Sequence, residues 1–173
     1  MAKSKNSYVN KTAKYNVYLG GRRLIGLADS IDMPDINIKT EDSEVAGGTF
    51  SVPIVGQFEA TDITIPFQQM YGQIYDFIAM GEMVDLTFRI ANETLTGDGN
   101  ITAVGSRIVV RGMPKTISPG SYKNGTSTNA SVALSLSYIY FEEDGSPKFE
   151  VDYLNGVFRQ NGRDMNAAID ALI

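Results

Sequence analysis

A chain of 173 residues, 43% of them hydrophobic, can bury one sizeable core but would split into two small ones, so it is read as a single domain over residues 1–173. Its formal charge of −5 argues against a protein that grips nucleic acid by neutralising phosphates, and the absence of cysteine and histidine removes disulfides, thiolate nucleophiles and imidazole metal sites. No apolar run is long enough to span a bilayer and no leader pattern is present, so neither membrane insertion nor classical export is expected.

Residues 1–14 form a basic N-terminal arm. Residues 1–23 carry Lys3, Lys5, Lys11, Lys14, Arg22 and Arg23 and no acid, whereas residues 29–44 hold six acids against Lys39 alone. Two readings stand side by side: a basic arm of one copy reaching an acidic strand of the next, or a solvated, partly disordered N-terminus. Tyr15 to Leu19, Gly20-Gly21 and Arg22 to Leu27 read as a hairpin, because two glycines supply the positive φ of a tight primed turn. From Asp35 to Asp42, Ile36, Ile38 and Thr40 alternate with Asn37, Lys39 and Glu41, the pattern of a long strand with one face on a core.

Residues 44–56 keep Val45, Phe50, Val52, Ile54 and Val55 apolar while Gly47-Gly48 and Pro53 interrupt a ladder, so an extended loop is expected. It is either a hairpin tip folded onto its own barrel or a contact surface. The stretch Pro66 to Gly81 predicts an amphipathic helix, with Phe67, Met70, Tyr71, Ile74, Phe77 and Ile78 on one stripe, Pro66 in the first turn and Gly81 as C-cap.

Met83 to Ala91 and Ile101 to Thr116 read as strands, the second bent at Gly105 or Gly112, followed by a Gly/Ser/Asn-rich loop over Ser118 to Asn129. Ser131 to Phe141 alternates most clearly: Val132, Leu134, Leu136, Tyr138 and Tyr140 on a core face, against Ser131, Ala133, Ser135 and Ser137 on a small, smooth one. Lys148 to Leu154 is a last strand, and Met165, Ala168, Ile169 and Leu172 lie on one side of a short C-terminal helix. The residues therefore describe a mainly β structure, two groups of strands with one amphipathic helix between them packed over an open face of the sheet, and a short C-terminal helix.

No constellation supports catalysis or a bound cofactor. Asp98-Gly99-Asn100 lacks the further oxygen ligands of a calcium loop, Gly97-x-Gly99 lacks the third glycine of a dinucleotide turn, and Ser121 and Lys123 have no apolar neighbours to lower the lysine's pKa.

Taken together, Asn16-Val-Tyr18, Leu24-Ile-Gly26, Met33-Pro-Asp35, Arg111-Gly-Met-Pro-Lys115, Ser137-Tyr-Ile-Tyr140, Phe149-Glu-Val-Asp152 and Asn161-Gly-Arg-Asp164 resemble the major tail tube protein of contractile-tailed phages, the P2 type, a family that includes the tubes of phage-tail-like bacteriocins. The long Lys-bearing arm before Tyr15 departs from that pattern. The resemblance implies a mainly β, barrel-like antiparallel sandwich with one flanking helix and a short C-terminal helix. It also implies a structural subunit, not an enzyme: a homo-oligomer of hexameric rings stacked into a tube within a contractile sheath, meeting baseplate and tail-terminator proteins, in a virion or particle assembled in the host cytoplasm. DNA or effectors would pass through the lumen without specific binding. In that reading Val45, Phe50, Val52, Ile54, Val55, Lys11 and Lys14 make contacts between rings. Asn37, Lys39 and Glu41, with Ser131, Ser135 and Ser137, line the lumen. A secretion-apparatus tube is the near alternative and a small-ligand-binding β-barrel the distant one.

Overall fold

The chain is built from strands because its apolar residues recur at every second position, and one antiparallel sheet absorbs most of them. The computed structural model describes residues 7–24, 27, 30–70, 72–77, 79 and 81–172. The strands are β1 (Ser7–Leu19), β2 (Arg22–Arg23), β3 (Ile38–Val45), β4 (Gly48–Phe58), β5 (Asp62–Phe67), β6 (Val84–Thr96), β7 (Ile101–Ser118), β8 (Ala130–Glu143), β9 (Ser146–Asp152), β10 (Val157–Gln160) and β11 (Arg163–Asp164). The helices are α1 (Gly72–Phe77) and α2 (Ala167–Asp170).

Nine strands form one sheet in the order β11-β10-β9-β8-β7-β6-β1-β2, with β5 joined to β8; β3 and β4 pair only with each other. The sheet forks along β8: residues 130–135 pair with β5 and residues 138–143 with β9. An isolated bridge between Leu27 and Phe67 brings β5 back to the β1 side, so the sheet curls around its core in the expected barrel-like way. Val17, Ile63, Phe88, Val110, Val132 and Leu134 are almost fully enclosed there. The β1–β2 turn holds Gly20 and Gly21 at φ of 51° and 85°, as the hairpin reading required.

Several expectations are corrected. The helix is shorter than Pro66 to Gly81: Pro66 and Phe67 belong to β5, Met70 precedes α1, and Ile74 is buried within the helix. Pairing Pro66 with Ser131 and Phe67 with Ala130 uses those residues as ladder, which outweighs the helical spacing they share with Ile74. Phe77 ends α1, whereas Tyr71 and Ile78 lie outside the described residues. The basic arm is strand from Ser7 onward, paired along β6. Residues 44–56 are not a loop but most of the β3–β4 hairpin, and Pro53 pairs with Thr40. Beyond that pair the register jumps by three residues, so the interruption expected at Pro53 exists as a bulge on β4 at 54–57. The stripe of α2 is not buried either: Met165, Ile169 and Leu172 are all exposed.

The parity of β8 also changes partway. Arg111 faces Tyr138 while its neighbour Gly112 faces Leu136, which leaves Ser137 as an extra residue in a bulge. Ile139 and Val151 therefore turn to the core and Tyr138 and Tyr140 turn away from it, opposite to the expectation from simple alternation. Gly112 makes this possible, since a Cβ there would stand 2.4 Å from the Ser135 carbonyl oxygen.

Candidate assembly surfaces

Two surfaces remain after the core is assigned. The first is the β3–β4 hairpin. Residues 38–53 are exposed throughout, and the register puts Val45, Phe50 and Val52 on one face with Glu41 and Ser43. Phe50 is 58% and Val45 56% exposed, so this apolar face has no cover from its own chain. Val55 is likewise exposed at 52%, and Ile54, in the bulge, is half-buried. Ile38, expected on a core, is 42% exposed because the hairpin stands off the body.

The root of the hairpin is fixed. Phe58 meets the rings of Phe158, Tyr153 and Phe149 edge-on at centroid distances of 5.0, 6.1 and 6.5 Å, contacts worth about 0.5–1.5 kcal/mol each beyond buried area. The Glu59 N–H donates to the Asn37 carbonyl at 2.9 Å, and the Thr61 hydroxyl and Tyr153 phenol share a 2.9 Å hydrogen bond. Gly56, at φ 78°, lies so close to the Asn166 side chain that a Cβ would collide with it. Asn166 is itself held by donation from its Nδ2 to the Gly156 carbonyl.

The second surface is the face of the large sheet turned away from the core. Cross-strand partners give it continuous rows: Asp85, Arg111, Tyr138 and Asp152 in one, Thr87, Val109, Tyr140 and Glu150 in the next, and Arg89, Arg107 and Glu142 in the one beyond. Arg111 donates to Asp85 at 2.9 Å and stacks over Tyr138 at 4.8 Å; Arg107 donates to Glu142 at 2.7 Å and stacks over Tyr140 at 5.6 Å. Arg159 reaches Glu150 at 3.1 Å, Lys115 reaches Asp62 at 2.6 Å, and Arg89 lies over Tyr18.

Titration follows from these contacts. Partial burial, then donation to Glu150, pushes the Tyr138 phenol up to about 12. Burial and Glu142 raise Tyr140 in the same way. The Asn155 side-chain amide, helped by the Asn155 and Leu154 N–H groups, holds Asp152 below the usual carboxylate range.

The serine row lies on this same face: Ser131 pairs with Pro66, Ala133 with Thr64 and Ser135 with Asp62. Ser135 is exposed, Ser131 half-buried, and Ser137 is occupied in the bulge, its hydroxyl donating to the Arg111 carbonyl at 3.3 Å. Asn37, Lys39 and Glu41 are exposed but sit on or beside β3, so the two rows expected to share one wall belong to different sheets. Lys11 and Lys14 are exposed on β1. Sequence reading missed the arginine–tyrosine rows; Arg107, Val109 and Arg111 do alternate, but the bulge that brings the tyrosines beside them leaves only Gly112 as a trace. Among the described residues no group of three or more potential ligands could hold a metal ion.

Comparison with known proteins agrees with this architecture. The model of the family described as phage tail tube protein FII matches residues 10–173. The tail tube protein of Escherichia phage P2 is 27% identical over 154 residues, covering 86% of this chain and 88% of that protein. The major tail tube protein of Serratia phage KSP20 is 24% identical over 157 residues, covering 90% of each. In fold, the chain is similar to the sheath/tube terminator of an extracellular contractile injection system, PVC, in its extended state, with a TM-score of 0.54 at 16% identity over 78% of this chain and 97% of that one. A nine-stranded antiparallel sheet with an uncovered polar face, an exposed hairpin rooted on it, and a family match over nearly the whole length place this chain in the phage tail tube protein FII family, as a structural tail tube subunit.

Proposed function

We propose that copies of this chain close into hexameric rings that stack into the inner tube of a contractile tail, without catalysis. The observation that carries the reading is the hairpin Ile38–Phe58: rigid at its root, uncovered along its length and apolar on one face. A two-stranded hairpin alone in water is marginal, so an apolar one held out from the body is built to be covered by a neighbour. Val45, Phe50, Val52 and Val55, with Ile54 at the bulge and Lys11 and Lys14 on β1, are assigned to contacts between rings. Such contacts are head-to-tail and do not close, which is what lets a finite patch build a filament.

The bore is assigned to the polar face of the large sheet, with Ser131, Ser135 and Ser137 at one end and the arginine–tyrosine rows at the other. Four of its cations already hold a carboxylate and Arg89 lies on a ring, so few free charges remain to release counterions from passing DNA. Asn37, Lys39 and Glu41 are reassigned from the bore to the hairpin's own contacts. The outer side of the ring would meet the sheath, and its ends the baseplate and a terminator. The tube would belong to a virion or phage-tail-like particle assembled in the host cytoplasm, with DNA or effectors as cargo. Negative-stain microscopy of the purified chain tests this: hollow six-fold rings or tubes are expected, and monomers alone at high concentration would refute it.

A further inference from the structure

Strand edges expose unpaired N–H and C=O groups that act as templates for another strand. Among the described residues three edges are open over four residues or more with no proline in the open stretch, and one of them, the outer side of β7 from Ile101 to Val104, carries no charge. The second is the outer side of β1 from Asn10 to Lys14, which pairs only with β6 on its inner side, with a one-residue bulge at Ala13, since β2 and Leu24 cover only Val17 to Leu19. The third is the outer side of β3 from Lys39 to Val45. The outer side of β4 is a poorer template, because Pro53 has no N–H and a three-residue bulge follows it. The edge of β5 carries Pro66 and is covered at Phe67 by Leu27.

The β1 and β3 edges carry opposite charge. Lys11 and Lys14 sit on β1, and Glu41, Asp42 and Glu44 sit on β3 against Lys39. None of these residues takes part in the four salt bridges of the described residues; Asp42 accepts a hydrogen bond from Ser51. Pairing β1 with a second β1 would set lysine near lysine, and pairing β3 with a second β3 would set acid near acid, both destabilising. Only β1 against β3 joins opposites. That contact uses two different patches, so it propagates instead of closing a dimer.

We propose that the hairpin docks on another copy by strand addition, its acidic β3 edge pairing with the free basic edge of β1 and extending the large sheet across the contact. The apolar face of Val45, Phe50 and Val52 is covered in the same event. The placement of this contact between successive rings rests on the tube reading; the pairing itself rests on the edges and their charge.

Two charge-reversed chains test it. In the first, Lys11→Glu and Lys14→Glu make both edges acidic; in the second, Glu41→Lys and Glu44→Lys make both basic. All four positions are exposed, so each chain should keep the parent's circular dichroism and melting curve, which is checked first. Each alone should need about tenfold more protein than the parent to form sedimenting assemblies, and an equimolar mixture should recover the parent's behaviour. Reversed chains that stack alone as the parent does, or folded chains whose mixture stays as poor as either alone, overturn the pairing while leaving the tube reading in place. A parent that forms no rings or tubes, with mixed variants that associate although neither does so alone, overturns the tube reading and keeps the pairing.

Discussion

The large sheet and the β3–β4 hairpin are both antiparallel β-structure, yet they are stabilised by different partners. In the sheet each apolar face finds its cover within the chain: Val17, Phe88 and Val110 are fully enclosed, and the opposite face is tied down by ion pairs and stacked rings. In the hairpin no residue from 38 to 53 is even half-buried, and only the root is packed. In the proposed tube, folding falls to the body and assembly to the hairpin.

The comparison breaks most sharply at Phe88. Phe88→Ala empties a fully enclosed site and should cost about 3–5 kcal/mol of stability in urea unfolding of the unassembled chain. Gly112→Ala comes next: its Cβ would press on the Ser135 carbonyl at the β8 bulge, an overpacking cost of about 1–3 kcal/mol. By contrast Gly47→Ala, at the hairpin turn with nothing within 4 Å, should shift the same curve by less than about 0.5 kcal/mol.

A pH titration sharpens the contrast further. Tyr138 keeps its proton in the folded state up to about 12, above the ordinary value of 10.0, so the unfolded chain loses that proton first. Its contribution to stability is full below pH 10 and is lost as pH rises toward 12. Tyr138→Phe should flatten this part of the stability profile, and the late-titrating phenol should vanish from the ultraviolet difference spectrum. The smallest effect on the isolated chain is expected at the hairpin face: Phe50→Ser with Val52→Ser should change its unfolding by less than about 0.5 kcal/mol per site, yet abolish sedimenting assemblies.

The legible parts of the fold were those where period and burial agree. Alternation at Val84 to Ile90 and at Val132 to Leu136 marked the core strands, and Gly20-Gly21 marked a primed turn. The hidden parts turn on one-residue events. Ser137 reverses the parity of β8, so Tyr138 and Tyr140 could not be placed by counting, and the arginines beside them lost their partners in the reading. Pro66 and Phe67 fit a helical stripe equally well, and only pairing with β8, a long-range contact, decides for a strand. The apolar character of residues 44–56 was visible; that they form an unburied hairpin was not, because a sequence does not show whether an alternating face meets its own core or a neighbour's surface.

Hydrogen exchange, compared between the unassembled chain and its assemblies, tests the division between body and hairpin most directly. The account predicts that amides of Ile38 to Phe58 exchange quickly in the unassembled chain while those of β6, β7 and β8 are protected, and that the hairpin slows strongly on assembly. Hairpin amides as protected as the core before assembly, or unprotected after it, would contradict it.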